Sequence, residues 1–160
     1  MPQSSFVMFD EEFQEIKAIV EKLLVEANAK CVYLVDKDGQ LITSSGETHA
    51  IDSTSLASLT AGNIAATGGL AKLIGEKEFS ILFHEGVRDN IHISVVGGRV
   101  ILVVIFDRRS SLGLVRLRVK KASEAVGRSL EKLLRKMEAG HEEENLLEEI
   151  TEEDIERLFQ

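Results

Sequence analysis

The order of apolar and polar positions along the chain predicts three helices and five strands. Apolar residues recur at three- and four-residue steps over three segments, which indicates amphipathic helices at 9–29, 51–75 and 112 to about 137. Runs rich in β-branched and aromatic residues indicate strands at 31–36, 40–45, 78–85, 90–96 and 99–106. The chain therefore reads as helix, hairpin, helix, three-stranded meander and helix.

The turns and the last strand determine the expected topology. Asp38-Gly39 and Gly97-Gly98 separate neighbouring strands, and such pairs are typical of tight β-hairpins. Residues 99–106 are apolar at every inner position, which predicts a strand covered on both faces and placed beside the first strand. The expected fold is of the α/β class in its α+β form. A five-stranded antiparallel sheet carries the central helix on one face and the other two helices on the opposite face.

The central helix, residues 51–75, has two unlike sides. Asp52 is a typical N-cap residue, and Gly75 is typical of the position just past a helix end. At about 100° per residue, one side collects the large apolar residues and should face the sheet: Leu56, Leu59, Leu70, Leu73 and Ile74. The opposite side collects mainly small residues: Thr54, Ser58, Ala61, Ala65, Gly68, Gly69 and Lys72.

This small-residue side is unusual because a solvated helix face normally carries Glu, Lys, Arg and Gln. Each helical glycine costs roughly 1 kcal/mol relative to alanine, and the segment holds three, Gly62, Gly68 and Gly69. A docking platform for a partner that approaches the backbone closely would explain them. The alternatives are a helix sandwiched within its own fold and two such helices packed in a dimer.

Charge is distributed unevenly along the 160 residues. Residues 1–137 hold 18 basic and 17 acidic residues, whereas residues 138–160 hold ten acidic residues and a single arginine. The net charge of −8 is therefore a property of the tail. Only the third helix is basic enough for nucleic acid, and the acidic tail argues against that function. One cysteine, no long apolar run and no signal-peptide pattern indicate a cytoplasmic protein without membrane insertion.

The third helix and the tail are oppositely charged. The outer face of the helix carries eight cations: Arg116, Arg118, Lys120, Lys121, Arg128, Lys132, Arg135 and Lys136. This face is either simply solvated or binds an acidic partner, and the chain's own tail is one such partner. We expect a domain over 1–137, then an acidic linker at 138–145 and a short tail helix with exposed apolar residues: Ile150, Ile155, Leu158 and Phe159.

Motifs for chemistry are absent from the sequence. It lacks a phosphate-binding loop, a dinucleotide-binding glycine pattern and a nucleophile elbow. His84 and His92 flank one predicted hairpin, but two histidines without a third ligand make a weak zinc site. Cys31 opens a strand and is expected to be a core thiol. We expect no metal, no cofactor and no active site of the chain's own.

Three stretches resemble the Roadblock (dynein light chain) family, and within it the MglB-like regulators. They are YLVDKDGQLI at 33–42, IDSTSLASLTAGNIAATGGLAKLIG at 51–75 and VILVVIFDRRSSLGLVRLRVKKA at 100–122. The similarity extends over residues 7–137, and EITEEDIERLF in the tail is also MglB-like. The resemblance implies a Roadblock/longin-like domain that homodimerises by joining edge strands, with the two central helices side by side.

The resemblance also implies a function. MglB-like proteins bind a small Ras-like GTPase (MglA-like), two chains to one GTPase, on the platform of central helices, and they stimulate GTP hydrolysis in cell polarity and gliding motility. The resemblance further implies that the protein is located at a cell pole. The tail is thought to make a second contact with the GTPase. A scaffold that tethers a small GTPase or a motor complex without activating it is the alternative.

An arginine supplied in trans is a common way to accelerate GTP hydrolysis. Four arginines lie in loops or at strand ends of the predicted fold, and none is on the small-residue side: Arg88, Arg99, Arg108 and Arg109. The resemblance implies instead that the regulator reshapes the GTPase so that its own catalytic residues come into line. We therefore expect activation without an arginine finger.

Overall fold

The computed structural model describes residues 10–158, with side chains described for 10–140 and for Glu156 and Arg157. Phe159, predicted as a tail contact, lies outside the described residues. The elements in chain order are α1 (Asp10–Glu26), β1 (Cys31–Asp36), β2 (Leu41–Gly46), α2 (Ser53–Leu73), β3 (Ile81–Glu85), β4 (Asn90–Val96), β5 (Val100–Phe106) and α3 (Leu112–Leu158). The predicted number, type and order of elements within residues 10–137 are confirmed.

The five strands form one antiparallel sheet in the order β2-β1-β5-β4-β3. β5 pairs with β1 from Cys31 opposite Ile105 to Asp36 opposite Val100, as its apolar pattern predicts. Every residue of β1 and β5 is buried, whereas β2 and β3 are the exposed edges. The sheet therefore has two edges at which backbone groups are open to further pairing.

Helices cover both faces of the sheet in the predicted arrangement. On one face, α1 and α3 pack together over β1 and β5, and Ile16 and Val126 belong to the same buried cluster as Val32 and Val104. On the other face, α2 is alone and contributes Ala57 and Ile64 to a second cluster. α2 lies mainly against β1 and β2. A single helix covers less of a five-stranded sheet than a pair, so apolar residues near β3 and β4 are left partly open.

Part of the basic face of α3 is occupied within the fold. Lys136 Nζ lies 2.7 Å from Oε2 of the buried Glu12 and 3.3 Å from Glu11, both in α1. The hydrogen bond to Glu12 is the main reason that the pKa of Lys136 is raised. Lys132 pairs with Glu15 at 3.2 Å. Two of the eight cations on this face therefore join α3 to α1.

The predicted linker and separate tail helix are wrong, because α3 is one continuous helix of 47 residues, from Leu112 to Leu158. Gly140 is the single poor helix former among residues 138–144, and one glycine costs only about 1 kcal/mol. Alanine and glutamate, which make up most of the stretch, are strong helix formers, so the helix continues. At about 1.5 Å per residue, α3 is ~70 Å long and extends well past the sheet.

Candidate interaction surface

Local sequence sets both ends of α2. Asp52 is its N-cap: the carboxylate accepts hydrogen bonds from the backbone N–H of Ser55 at 3.2 Å and from the Ser55 hydroxyl at 2.9 Å. These bonds hold the pKa of Asp52 below its usual value. At the other end, Gly75 has a φ of +82°, and Glu76 N–H donates to Ala71 O. The predicted boundaries of α2 are therefore correct to within two residues.

The orientation of α2 differs from the prediction. The residues that it buries are small or medium-sized: Ala57, Thr60, Ile64 and Ala71. Leu59, Leu70 and Leu73, expected to face the sheet, are 74%, 58% and 82% exposed. Helical periodicity locates an apolar side, but it does not distinguish one that faces the chain's own core from one that faces outward. The large apolar side of α2 is therefore an external surface of this chain.

The β1–β2 turn approaches α2 closely at two positions of its small-residue side, Ser58 and Ala61. Gly39, with a φ of +91°, sits in the β1–β2 turn directly against α2. A Cβ atom at this position would lie 3.3 Å from Ser58 Cα and 3.5 Å from Ala61 Cβ. Larger residues at these helix positions would push the turn away. The Asp38-Gly39 turn therefore packs directly on Ser58 and Ala61, and the sequence pattern does not reveal this contact.

The seven predicted platform residues lie along one side of α2. Five are exposed and two are half-buried; the exposed ones are Thr54, Ser58, Ala65, Gly69 and Lys72, and the half-buried ones are Ala61 and Gly68. A Cβ atom built at Gly62, Gly68 or Gly69 meets no other described atom within 4 Å, apart from the helix's own nearby backbone. Packing within the chain, the sandwiched-helix alternative, therefore does not account for these glycines.

A groove of about 410 Å³ runs between α2 and the open part of the sheet. Leu56, Leu59 and Asn63 form its helix wall, and Ile91 and Ile93 of β4 line its floor. The side chains of Asn63 and His84 meet across it at 3.1 Å between Nδ2 and Nε2. The groove connects the exposed Leu59 to the edge of the sheet at His84, so both belong to one surface.

The histidine pair considered as a weak zinc site is not a site. His84 lines the groove on the α2 face, whereas His92 lies opposite Phe83, which packs with the α1–α3 core. The two rings are therefore on opposite faces of the sheet. Cys31 is fully buried, and burial raises the pKa of its thiol to about 11, as expected of a core residue.

The fold and the exposed central helix define the class to which this chain belongs. The Roadblock/LC7 domain pattern matches residues 15–106, and the chain belongs to this family. MglB of Myxococcus xanthus is a structural relative with 62% sequence identity and a TM-score of 0.76, and the alignment covers 80% of this chain and 96% of that one.

Two further solved structures are similar over most of their length. The gliding protein MglB of Thermus thermophilus is 34% identical, with a TM-score of 0.76 and coverage of 82% of this chain and 99% of that one. An MglB with a tetrameric arrangement is 32% identical, with a TM-score of 0.77 and the same coverage. A comparison with curated protein sequences found no match. Among the described residues, no helix is both long and apolar enough to cross a membrane.

Proposed function

We propose that this chain is a dimeric regulator of a small Ras-like GTPase. Two chains bind one GTPase through the small-residue side of their paired α2 helices and stimulate its GTP hydrolysis in a polarity or gliding system located at a cell pole. The sequence identity of 62% to Myxococcus xanthus MglB supports the choice of an MglA-like partner. The chain itself supplies no catalytic site in this proposal.

The observation that carries the proposal is the open space around the helical glycines. Gly62, Gly68 and Gly69 together cost about 3 kcal/mol of helix stability relative to alanine, and nothing within the described chain requires them. A partner that packs directly on the helix backbone does require them, because any side chain there would hold it away. Lys72 at the end of this side is its only charged residue, so docking there depends on shape more than on charge.

The exposed apolar side of α2 supports dimerisation. Leu59 lines the groove with Ile91 and Ile93, and Leu70 and Leu73 are exposed further along α2. Surfaces of this kind are typical of protein interfaces. A symmetric partner that covers the leucines would leave the small-residue side of both α2 helices facing outward. The Ile64 side chain is buried against the sheet, so it is not available as a contact between twin helices.

Activation without an arginine finger is supported by where the arginines lie. α2 carries no arginine. Arg88, Arg108 and Arg109 cluster at one end of the sheet, and Arg99 lies in the β4–β5 turn at the other end. None of the four is on the small-residue side of α2. The proposed mechanism is therefore that docking repositions catalytic residues belonging to the GTPase.

The test is the double variant Ala65→Arg/Gly69→Arg. Both positions are exposed, and arginine favours helix formation over glycine by about 1 kcal/mol, so the fold should be retained. GTPase binding and stimulation of GTP hydrolysis should both be lost. The matched control is Gly113→Arg/Gly127→Arg in α3, where an added Cβ also meets nothing within 4 Å. Normal stimulation by the α2 variant would move the platform elsewhere, and unfolding would show that this side is core.

The same turnover assay separates an activator from a scaffold. A scaffold binds the GTPase but leaves its rate of GTP hydrolysis unchanged. Single alanine variants of Arg88, Arg99, Arg108 and Arg109 should stay within a few-fold of the parent chain. An arginine supplied in trans contributes about 10³–10⁵ in rate, so a loss on that scale with binding retained would contradict the proposed mechanism.

A further inference from the structure

A charged cleft lies at the end of the sheet where β1 and β4 begin and β5 ends. Its volume is about 310 Å³, and all of its lining residues are charged: Lys30, Arg88, Asp89, Asp107, Arg108 and Arg109. Neither the helix platform nor the apolar groove includes any of them. The cleft is therefore a separate feature, with four cations and two carboxylates in its wall.

Both carboxylates in the wall are already paired with cations. Lys30 Nζ lies 3.2 Å from Asp89 Oδ2. Arg109 donates from Nε and Nη2 to the two oxygens of Asp107, each at 3.0 Å, and Nη2 also lies 3.1 Å from Glu47 Oε2. The Arg109 side chain is the main cause of the pKa of Asp107 falling to about 2. Asp107 therefore stays ionised and bound to Arg109 at neutral pH.

Two guanidinium groups in the cleft are left without a carboxylate. Within the part of the chain whose side chains are described, no salt bridge or side-chain hydrogen bond involves Arg88 or Arg108. The six lining residues sum to a net charge of +2. Glu47 pairs with Arg109, and Glu85 lines the adjoining cavity together with Arg88 and Arg108. The positive charge is concentrated on the two unpaired side chains, which line the same cleft.

The backbone that carries Arg108 is anchored on both sides. The Asn28 side-chain amide donates to Arg109 O, and the Ser110 hydroxyl donates to Ala27 O. Asp107 Oδ1 accepts from Arg109 N–H at 3.0 Å. Because the loop is fixed against the end of α1, little backbone order has to be gained when a ligand binds.

We propose that this cleft binds a phosphoryl group, with Arg88 and Arg108 as its ligands. A guanidinium group presents several N–H donors in a rigid fork that matches a phosphate in two-point contacts. A phosphoryl group carries about −1.5 to −2 charges near neutral pH, which complements two unpaired guanidinium groups better than the single charge of a carboxylate. The cleft also has room for the group that bears the phosphate. This site is independent of the GTPase platform.

The experiment is calorimetric titration of the full chain with inorganic phosphate at constant ionic strength, at about pH 8 where the dianion dominates. The expected dissociation constant is about 1 mM for a few charge-assisted hydrogen bonds at a solvent-accessible site. The variant Arg88→Ala/Arg108→Ala should bind at least about tenfold more weakly. Arg99→Ala is the matched control, because Arg99 is exposed in the turn at the opposite end of the sheet. This variant should bind phosphate with the affinity of the parent chain.

Further titrations identify the source of the phosphoryl group and guard against loss of fold. Tighter binding of O-phosphoserine than of phosphate would assign the site to phosphorylated side chains, and the reverse order to the free ion. The pair Arg88→Gln/Arg108→Gln should repeat the loss while circular dichroism stays unchanged. Equal affinity for acetate, equal affinity of the double variant, or no binding at tens of millimolar phosphate would each overturn the proposal. All readings are made without a GTPase, so they do not depend on the proposed function.

Discussion

His92 is fully buried, and neither ring nitrogen has a hydrogen-bond partner among the described residues. It lies in β4 between Phe83 of β3 and Val104 of β5, on the face covered by α1 and α3. Burial is the main cause of its lowered pKa, and the charge of Arg116 lowers it further. His92 therefore stays neutral in the folded chain at a pH where it would take up a proton in the unfolded chain.

This difference predicts a loss of stability in mild acid. Above about pH 6.5, the ordinary pKa of histidine, His92 is neutral in both states and contributes no pH dependence. Below it, the unfolded state binds a proton that the folded state does not, so the free energy of unfolding falls by up to about 1.4 kcal/mol per pH unit. Urea unfolding at a fixed protein concentration, at neutral pH and about one unit below 6.5, measures this slope.

His92→Leu is the informative variant for this prediction, because it removes the titrating ring and keeps an apolar side chain in the core. Its unfolding free energy should fall less steeply with pH than that of the parent chain. His84→Gln is the control, since His84 is exposed in the α2 groove. The same slope in His92→Leu as in the parent would assign the acid sensitivity to other groups.

At the scale of single elements, the apolar pattern predicted some features well and others badly. The bounds of β1 and β4 are as predicted, and so is the position of β5 beside β1, because strands buried on both faces leave a continuous apolar run. β3 is shorter than expected, Ile81–Glu85 rather than 78–85. The pattern does not identify the outward side of α2, because an interface between chains and the core of one chain select the same residue types. The predicted break before the tail is wrong because one glycine among strong helix formers does not end a helix.

Part of the candidate site could be predicted from the sizes of the side chains along the sequence. The absence of large side chains along Thr54–Lys72 is a property of the sequence, so the small-residue side was found from periodicity alone. The contact of Gly39 with α2 joins residues about 20 positions apart, and no local pattern indicates it. The charged cleft brings together residues from the ends of three strands, which only the folded sheet places side by side.

The exposed side of α2 predicts a specific failure of dimerisation. The double variant Leu70→Glu/Leu73→Glu places two charges on this side of each chain. A symmetric dimer would therefore carry four charges at its interface. Burying one leucine side chain at the interface contributes about 1.5–3 kcal/mol to dimer stability. Losing these contributions should weaken the dimer by at least about 100-fold and give a folded monomer in sedimentation. Val25→Glu is the control, since Val25 is 77% exposed on α1 and far from α2. A dimer of unchanged affinity in the leucine variant would place the interface elsewhere.

At the scale of the whole molecule, residues 1–137 are nearly neutral, and α3 continues past them into an acidic segment. Residues 138–160 hold ten acidic residues and one arginine, and the described part of this segment continues α3. From Gly140 to Leu158 the helix adds about 27 Å at 1.5 Å per residue. α3 covers the face of the sheet opposite to α2, so this extension begins on the far side of the sheet from the proposed platform. In the proposed assembly of two chains and one GTPase, the two extensions cannot meet the GTPase in the same way, so we expect an asymmetric complex.

The last prediction is that the tail contributes to the GTPase complex but not to the dimer. Deleting residues 146–160 removes four apolar residues proposed as a second contact, Ile150, Ile155, Leu158 and Phe159. The deletion should weaken GTPase binding or slow nucleotide exchange while dimerisation and most of the stimulation of GTP hydrolysis persist. Titration of the GTPase, an exchange assay and sedimentation measure these quantities separately. The alternative that the tail binds the basic face of its own third helix does not hold, because the tail continues that helix. Equal affinity and equal exchange rates for the truncated and full chains would show that the tail does not bind the GTPase.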